Sequence, residues 1–122
     1  DWPTLGGQGE GGYLICMASS NLWIVAPSST EISRNWYNRN DATLTANNNA
    51  ACGDWFIPSG AQLKNPGYTC RTYWDSYNST SYWSDTQYNG HTGRRVNFST
   101  GSHHNNSKPN IYCVRAFRCA SY

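Results

Sequence analysis

"YWSDTQYNGHTGRRVNFSTG", residues 82–101, is the stretch on which the reading of the fold turns. It opens aromatic, passes through the polar segment TQYNGHTGR and ends in an alternating run followed by a turn. Val96 and Phe98 share one face of that run, and Arg95 and Asn97 share the other. SYWSDTQY, RRVNFSTG and, further on, IYCVRAFRC are three strand candidates. In the last, Tyr112, Val114 and Ala116 alternate with Cys113, Arg115 and Phe117. These runs predict a C-terminal antiparallel sheet. TQYNGHTGR, between the first two, is read as a loop free to touch a partner.

Upstream, DWFIPSGAQLKN contains a strand-like WFI that Pro58 stops, after which Ser59 can cap a short helix. In DATLTANNNAAC, Asp41 is an N-cap candidate and Ala42, Ala46 and Ala50 recur every four residues. That spacing predicts a second short helix, though three consecutive Asn disfavour it by propensity. GYLICMA and LWIVAP flank the polar SSN and read as a β-hairpin. SSTEISRNWYNRND reads as a polar connection. Residues 1–12 carry five glycines and form an extended, turn-rich lead-in. The order is hairpin, two short helices, long loops and three strands, which predicts one α+β domain over residues 1–122.

Bulk properties narrow the function. Only 13% of residues are charged, yet 15% are aromatic, with six Trp and nine Tyr. Rings bury large areas, so the core is expected to be aromatic rather than rich in Leu and Ile. The net charge is +2, and the longest basic run is Arg94-Arg95. Neither a nucleic-acid partner nor membrane insertion is expected from that balance. A chain starting at Asp1, without Met or signal peptide, is expected of a processed protein or a piece of a longer one. The five cysteines, Cys16, Cys52, Cys70, Cys113 and Cys119, contain no C-x-x-C pair. Structural pairs would fit an oxidising, extracellular location, and buried free thiols would fit a cytosolically assembled particle.

Several blocks resemble the DUF1566 family in the same order. DWFIPSGAQLKN is similar to its "DWRLPT-x-x-EL". YWSDTQY, VNFSTG and NSKPNIYCVRAFR are similar to its "YWSST-x-Y", "V-x-F-x-x-G" and "K-x-x-x-x-x-VRCVR". GGYLICM and LWIVAP resemble its opening hairpin. The resemblance spans nearly the whole chain. It implies a C-type-lectin-like fold, as in bacterial surface adhesins and phage receptor-binding or decoration proteins. The chain departs from the pattern at Phe56, where the family has Arg, and at Gln62, where it has an acid. The resemblance also implies a disulfide between a helix cysteine and the final strand, Cys52 with Cys119 or with Cys113.

Enzyme readings find little. Of seven acidic residues, only Asp75 and Asp85 fall in the expected loop region. A glycosidase needs two carboxylates across a sugar, and these two are read as turn formers. Calcium-dependent lectins use an "EPN"-type loop; here Lys108-Pro109-Asn110 puts a cation where the carboxylate would be. No cofactor, and no calcium, is therefore expected. Loops dense in Tyr, Trp, Ser and Asn suit recognition. The ligand-binding candidates are Trp74, Tyr77, Asp85, Tyr88, His91, Arg94, His103, His104 and Asn105. Trp55 and Trp83, inside the family blocks, are read as framework.

The expectation is thus a non-catalytic recognition domain on a virion, in the extracellular space or on a bacterial cell surface. Its partner would be a cell-surface glycan or protein receptor. A second reading is a decoration or assembly module docked on other subunits of a virion or surface fibre. A third is a small glycan hydrolase.

Overall fold

The computed structural model describes residues 3–18, 20–42 and 55–121. In chain order it contains β1 (Gln8–Gly9), β2 (Gly12–Ala18), β3 (Asn21–Val25), β4 (Ile32–Arg34), helix α1 (Gly60–Gln62), β5 (Ser81–Gln87), β6 (Thr92–Asn97), β7 (His103–Ser107), β8 (Tyr112–Val114) and β9 (Phe117–Ser121). The protein is α+β and dominated by strands. The helix expected after Asp41 and the candidate disulfide cysteine Cys52 lie outside the described residues.

Two sheets form the body. The first has the order β1-β2-β3-β9 and the second β4-β8-β5-β6-β7. The expected hairpin is β2–β3, antiparallel from Tyr13↔Val25 to Ala18↔Asn21, with a register shift between Leu14 and Cys16. Its apolar residues run consecutively because this sheet is covered on both faces. Ile15, Val25 and Phe117 join one buried cluster, while Leu14, Leu22, Ile24 and Ala120 join another with Trp55. A strand buried on both sides loses the strict apolar–polar alternation of a half-exposed one.

Three expectations need correction. IYCVRAFRC is not one strand. β8 pairs with β4 and β5 in the second sheet, whereas β9 pairs with β3 in the first. The chain changes sheets at Arg115 and Ala116, where the Ala116 carbonyl accepts from the Ala26 N–H at 2.9 Å and Arg115 turns its side chain into a buried cluster of acceptors. The C-terminal sheet is also not wholly antiparallel, since β5 and β8 pair in parallel at Tyr82↔Cys113. Finally, the stretch read as a polar connection supplies β4 and the buried Trp36.

Helix α1 agrees with its sequence signal. The Ser59 hydroxyl accepts from the Gln62 N–H at 3.2 Å, and the Gln62 carbonyl oxygen Oε1 accepts from the Ser59 N–H at 3.0 Å. This is a reciprocal capping box, so the amide at position 62 keeps the capping role an acid would have had. The helix runs into an irregular turn, Leu63–Tyr68, interrupted at Asn65 and containing a cis Asn65–Pro66 peptide.

The core between the sheets is aromatic, as composition suggests. Trp74 meets Tyr82, Phe98 and Phe117 with ring centroids 5.7, 5.2 and 5.6 Å apart. Edge-on and tilted contacts of this kind add to the area term. Cys16, Cys70 and Cys113 are free thiols, and Cys119 is disulfide-bonded. Cys113 is therefore removed from the disulfide candidates. Its thiol sits half-buried 3.6 Å from the Thr80 hydroxyl. Burial pushes the Cys113 thiol up, and burial followed by the neighbouring Cys16 pushes Cys70 up to about 11.

Candidate functional site

Arg115 organises the long loop that precedes β5. The residue is 2% exposed, and its guanidinium has five N–H donors. Five bonds use them: Nε and Nη2 donate to Glu31 Oε1 at 3.1 and 2.9 Å, and Nη1 to Ala26 O and Asp75 Oδ1 at 3.0 and 3.1 Å. The fifth runs from Nη2 to the Ser76 carbonyl. Tyr82 donates its hydroxyl to Glu31, and the Trp74 ring lies 5.0 Å below the guanidinium carbon. Burial alone would raise the Asp75 carboxyl. The Ser28 N–H, at 2.7 Å from Oδ2, and Arg115 outweigh it and hold Asp75 below its ordinary value.

This cluster decides the fate of two recognition candidates. Trp74 is 6% exposed and belongs to the core, so it is not a surface anchor. Its large apolar face is worth more packed against four rings than against water. Tyr77 is half-buried and packs edge-on to Trp74 at 6.4 Å. Asp75 and Asp85 are engaged by different arginines, Asp75 by Arg115 and Asp85 by Arg39 at 2.8 Å.

Around β5 and β6, three turns meet. The buried Lys108 ammonium donates to Gln87 Oε1 at 2.7 Å and to the Gly90 carbonyl at 3.2 Å, and it lies 4.5 Å from the Trp36 ring centre. Arg39 covers the same ring at 3.4 Å. A Cβ on Gly93 would come within 2.4 Å of the Trp36 indole, so only glycine lets β6 approach it. The expected loop TQYNGHTGR is therefore a short, tied turn. Asn89 Oδ1 accepts from the His91 and Thr92 N–H groups at 2.8 and 2.9 Å. Tyr88, 62% exposed, and His91 project from it. Lys108 is an internal tie between turns.

The remaining candidates lie on strands. His103, His104 and Asn105 belong to β7, an edge strand, not to a loop. The register is Arg94↔Asn105, Arg95↔His104 and Val96↔His103. Facing partners share a side and neighbours alternate. Arg94, Asn105 and His103 thus fall on the side covered by α1, and His104 falls on the other with Arg95. A groove of about 500 Å³ opens there, lined by Gly60, Ala61, Lys64, Asn65, Thr69, Arg94 and His103. Arg94 packs its aliphatic stem on Gly60, where a Cβ would meet Cδ at 2.8 Å. Its Nε donates to Asn105 Oδ1 at 3.3 Å. Among the described residues its terminal nitrogens have no acceptor, and neither does the Lys64 ammonium.

Sequence reasoning missed Lys64, Asn65 and Thr69. The available signal was the i, i+4 spacing of Gly60 and Lys64 after the Ser59 cap, which puts them on one side of a helical turn; Asn65 and Thr69 follow in the irregular segment and carried no such signal. No group of three or more metal-ligating side chains occurs among the described residues, and no described helix is long and apolar enough to cross a membrane. No family model and no curated protein matches the chain.

Proposed function

We propose that this chain is a non-catalytic recognition domain that binds a cell-surface glycan or protein, displayed on a virion or outside a cell. One observation carries the reading: the α1–β6–β7 groove presents unpaired donors from rigid elements. Arg94 and His103 stand on paired strands, which lowers the ordering cost of binding. Among the described residues, four carboxylates, Glu31, Asp41, Asp75 and Asp85, are engaged by arginines within the protein. The C-type-lectin-like fold is part of the same proposal, supported by the ordered sequence blocks, the capping box of GAQ and the N-terminal hairpin paired with the last strand. Shallow polar sites bind weakly one at a time, so display in many copies would supply avidity.

The test is retention of the domain, multimerised on beads, by a panel of bacterial surface polysaccharides with and without chelator. Selective retention that survives chelation is the expected result. Retention lost with chelator would overturn the calcium-independent part. No retention, with the protein assembling on itself or on particles, would favour the second reading, a decoration or assembly module. That reading draws on Tyr37 and Tyr88, 59% and 62% exposed at the turns gathered by Lys108.

A further inference from the structure

The groove beside α1 has a charge character that selects among glycans. Its lining holds two permanent cations, Lys64 and Arg94, with His103, the Asn65 amide and the Thr69 hydroxyl, and no carboxylate. Unpaired cations are the exception in this chain. Arg34, Arg39 and Arg115 each have a carboxylate partner. Arg71 lies over the Tyr68 ring, while Arg95 bonds to Asn106 and Ser81. Two cations left facing one concavity make a local positive field that nothing in the lining neutralises.

Arg94 is also pre-oriented. Asn105 holds its Nε, and Gly60 lets its stem lie flat against the helix. The free edge of the guanidinium is the pair of terminal nitrogens, whose parallel N–H groups match the two oxygens of a carboxylate. Lys64 adds a mobile point charge. The volume of about 500 Å³ suits one or two sugar units. No Trp, Tyr or Phe lines the groove, so a nucleobase or a flat neutral sugar face finds only the small His103 imidazole as an aromatic platform. Amide and hydroxyl groups beside the cations suit ring hydroxyls.

We propose, building on the recognition reading, that this groove binds a carboxylate-bearing saccharide of an acidic polysaccharide, with Arg94 gripping the carboxylate and Lys64 assisting. The probes are polygalacturonate, polysialic acid, dextran sulfate, neutral dextran and poly-L-glutamate, each immobilised and tested against the multimerised full chain at low and physiological salt. The expected result is retention on at least one carboxylated polysaccharide and none on dextran. Arg94→Ala should weaken that retention by about tenfold or more and Arg94→Lys by less, because a point charge replaces a fork. Lys64→Ala should weaken it several-fold, and His104→Ala, on the opposite side of β7, should leave it unchanged. An unaltered thermal midpoint for each variant separates loss of contact from loss of fold.

Equal retention on dextran, or carboxylate binding indifferent to Arg94 and Lys64, overturns this proposal while leaving glycan recognition standing. Stronger Arg94-dependent retention on poly-L-glutamate than on any saccharide replaces the glycan with an acidic peptide. Preference for dextran sulfate over both carboxylated chains overturns the carboxylate. Retention on none of the probes, at either salt, counts against both this proposal and the glycan form of the recognition reading.

Discussion

Arg115 and Arg94 are the same residue in opposite circumstances. Arg115 is buried, its five donors all have acceptors, and two carboxylates and a Trp ring surround it. Arg94 lies at the groove, with one donor held by an amide and its terminal nitrogens open. The first fastens the loop around Trp74 to β3, β4 and the end of β8. The second can only be satisfied by water or a ligand. The difference teaches that neither residue type nor proximity to a loop marks a binding group. What singles out a candidate is hydrogen-bonding capacity left over after folding.

The largest effect should come from breaking the buried side. Arg115→Met leaves Glu31 and Asp75 without their cation, and removing one partner of a buried ion pair costs about 3–5 kcal/mol. Trp74→Ala opens a void among four rings and should cost a similar ~3–5 kcal/mol. Urea unfolding measures both. A loss under ~1 kcal/mol for Trp74→Ala would return that residue to the surface and undo the contrast.

Acid sharpens the same side. The folded Asp75 carboxyl titrates below its ordinary value of 3.8, so the unfolded chain takes up the proton first. The stabilisation is present above about pH 4 and disappears as pH falls through the folded value. Thermal midpoints should fall steeply across that window, and Asp75→Asn should flatten the slope while lowering stability at neutral pH. An unchanged acid slope would show that Asp75 is not held by Arg115 in solution. A smaller loss, about 1 kcal/mol, is expected for Ser59→Ala, which removes one half of the capping box under the groove. The smallest effect belongs to the open side. Arg94→Ala and Lys64→Ala should change stability by no more than ~0.5 kcal/mol, as surface substitutions usually do. A drop of several kcal/mol in either would make it a fastener like Arg115.

Part of the groove was legible beforehand. Ser59 marks the helix start, and Arg94, His103 and Asn105 stand among the polar residues whose type suits recognition. Their meeting was not legible, because His103 and Asn105 read as loop residues until β7 pairs with β6. Polar residues such as His, Asn and Ser have little strand propensity of their own, and the edge strand forms by pairing with a fixed neighbour. The break at Arg115 was hidden because a single arginine between the apolar runs YCV and AF reads as one outward position of a continuous strand.

What the sequence determined by itself is local: the β2–β3 hairpin, the capped α1, the strands at β5 and β6, and an aromatic core. Each follows from residues within a few positions of one another, through periodicity, caps and turn chemistry. Which aromatic is core and which arginine is fastener was decided by tertiary structure. Arg115 bonds to Glu31 and Ala26 across 84 and 89 positions of chain, and Asp75 to Ser28 across 47. Burial and charge pairing depend on who arrives from far along the chain, and no local pattern encodes that arrival.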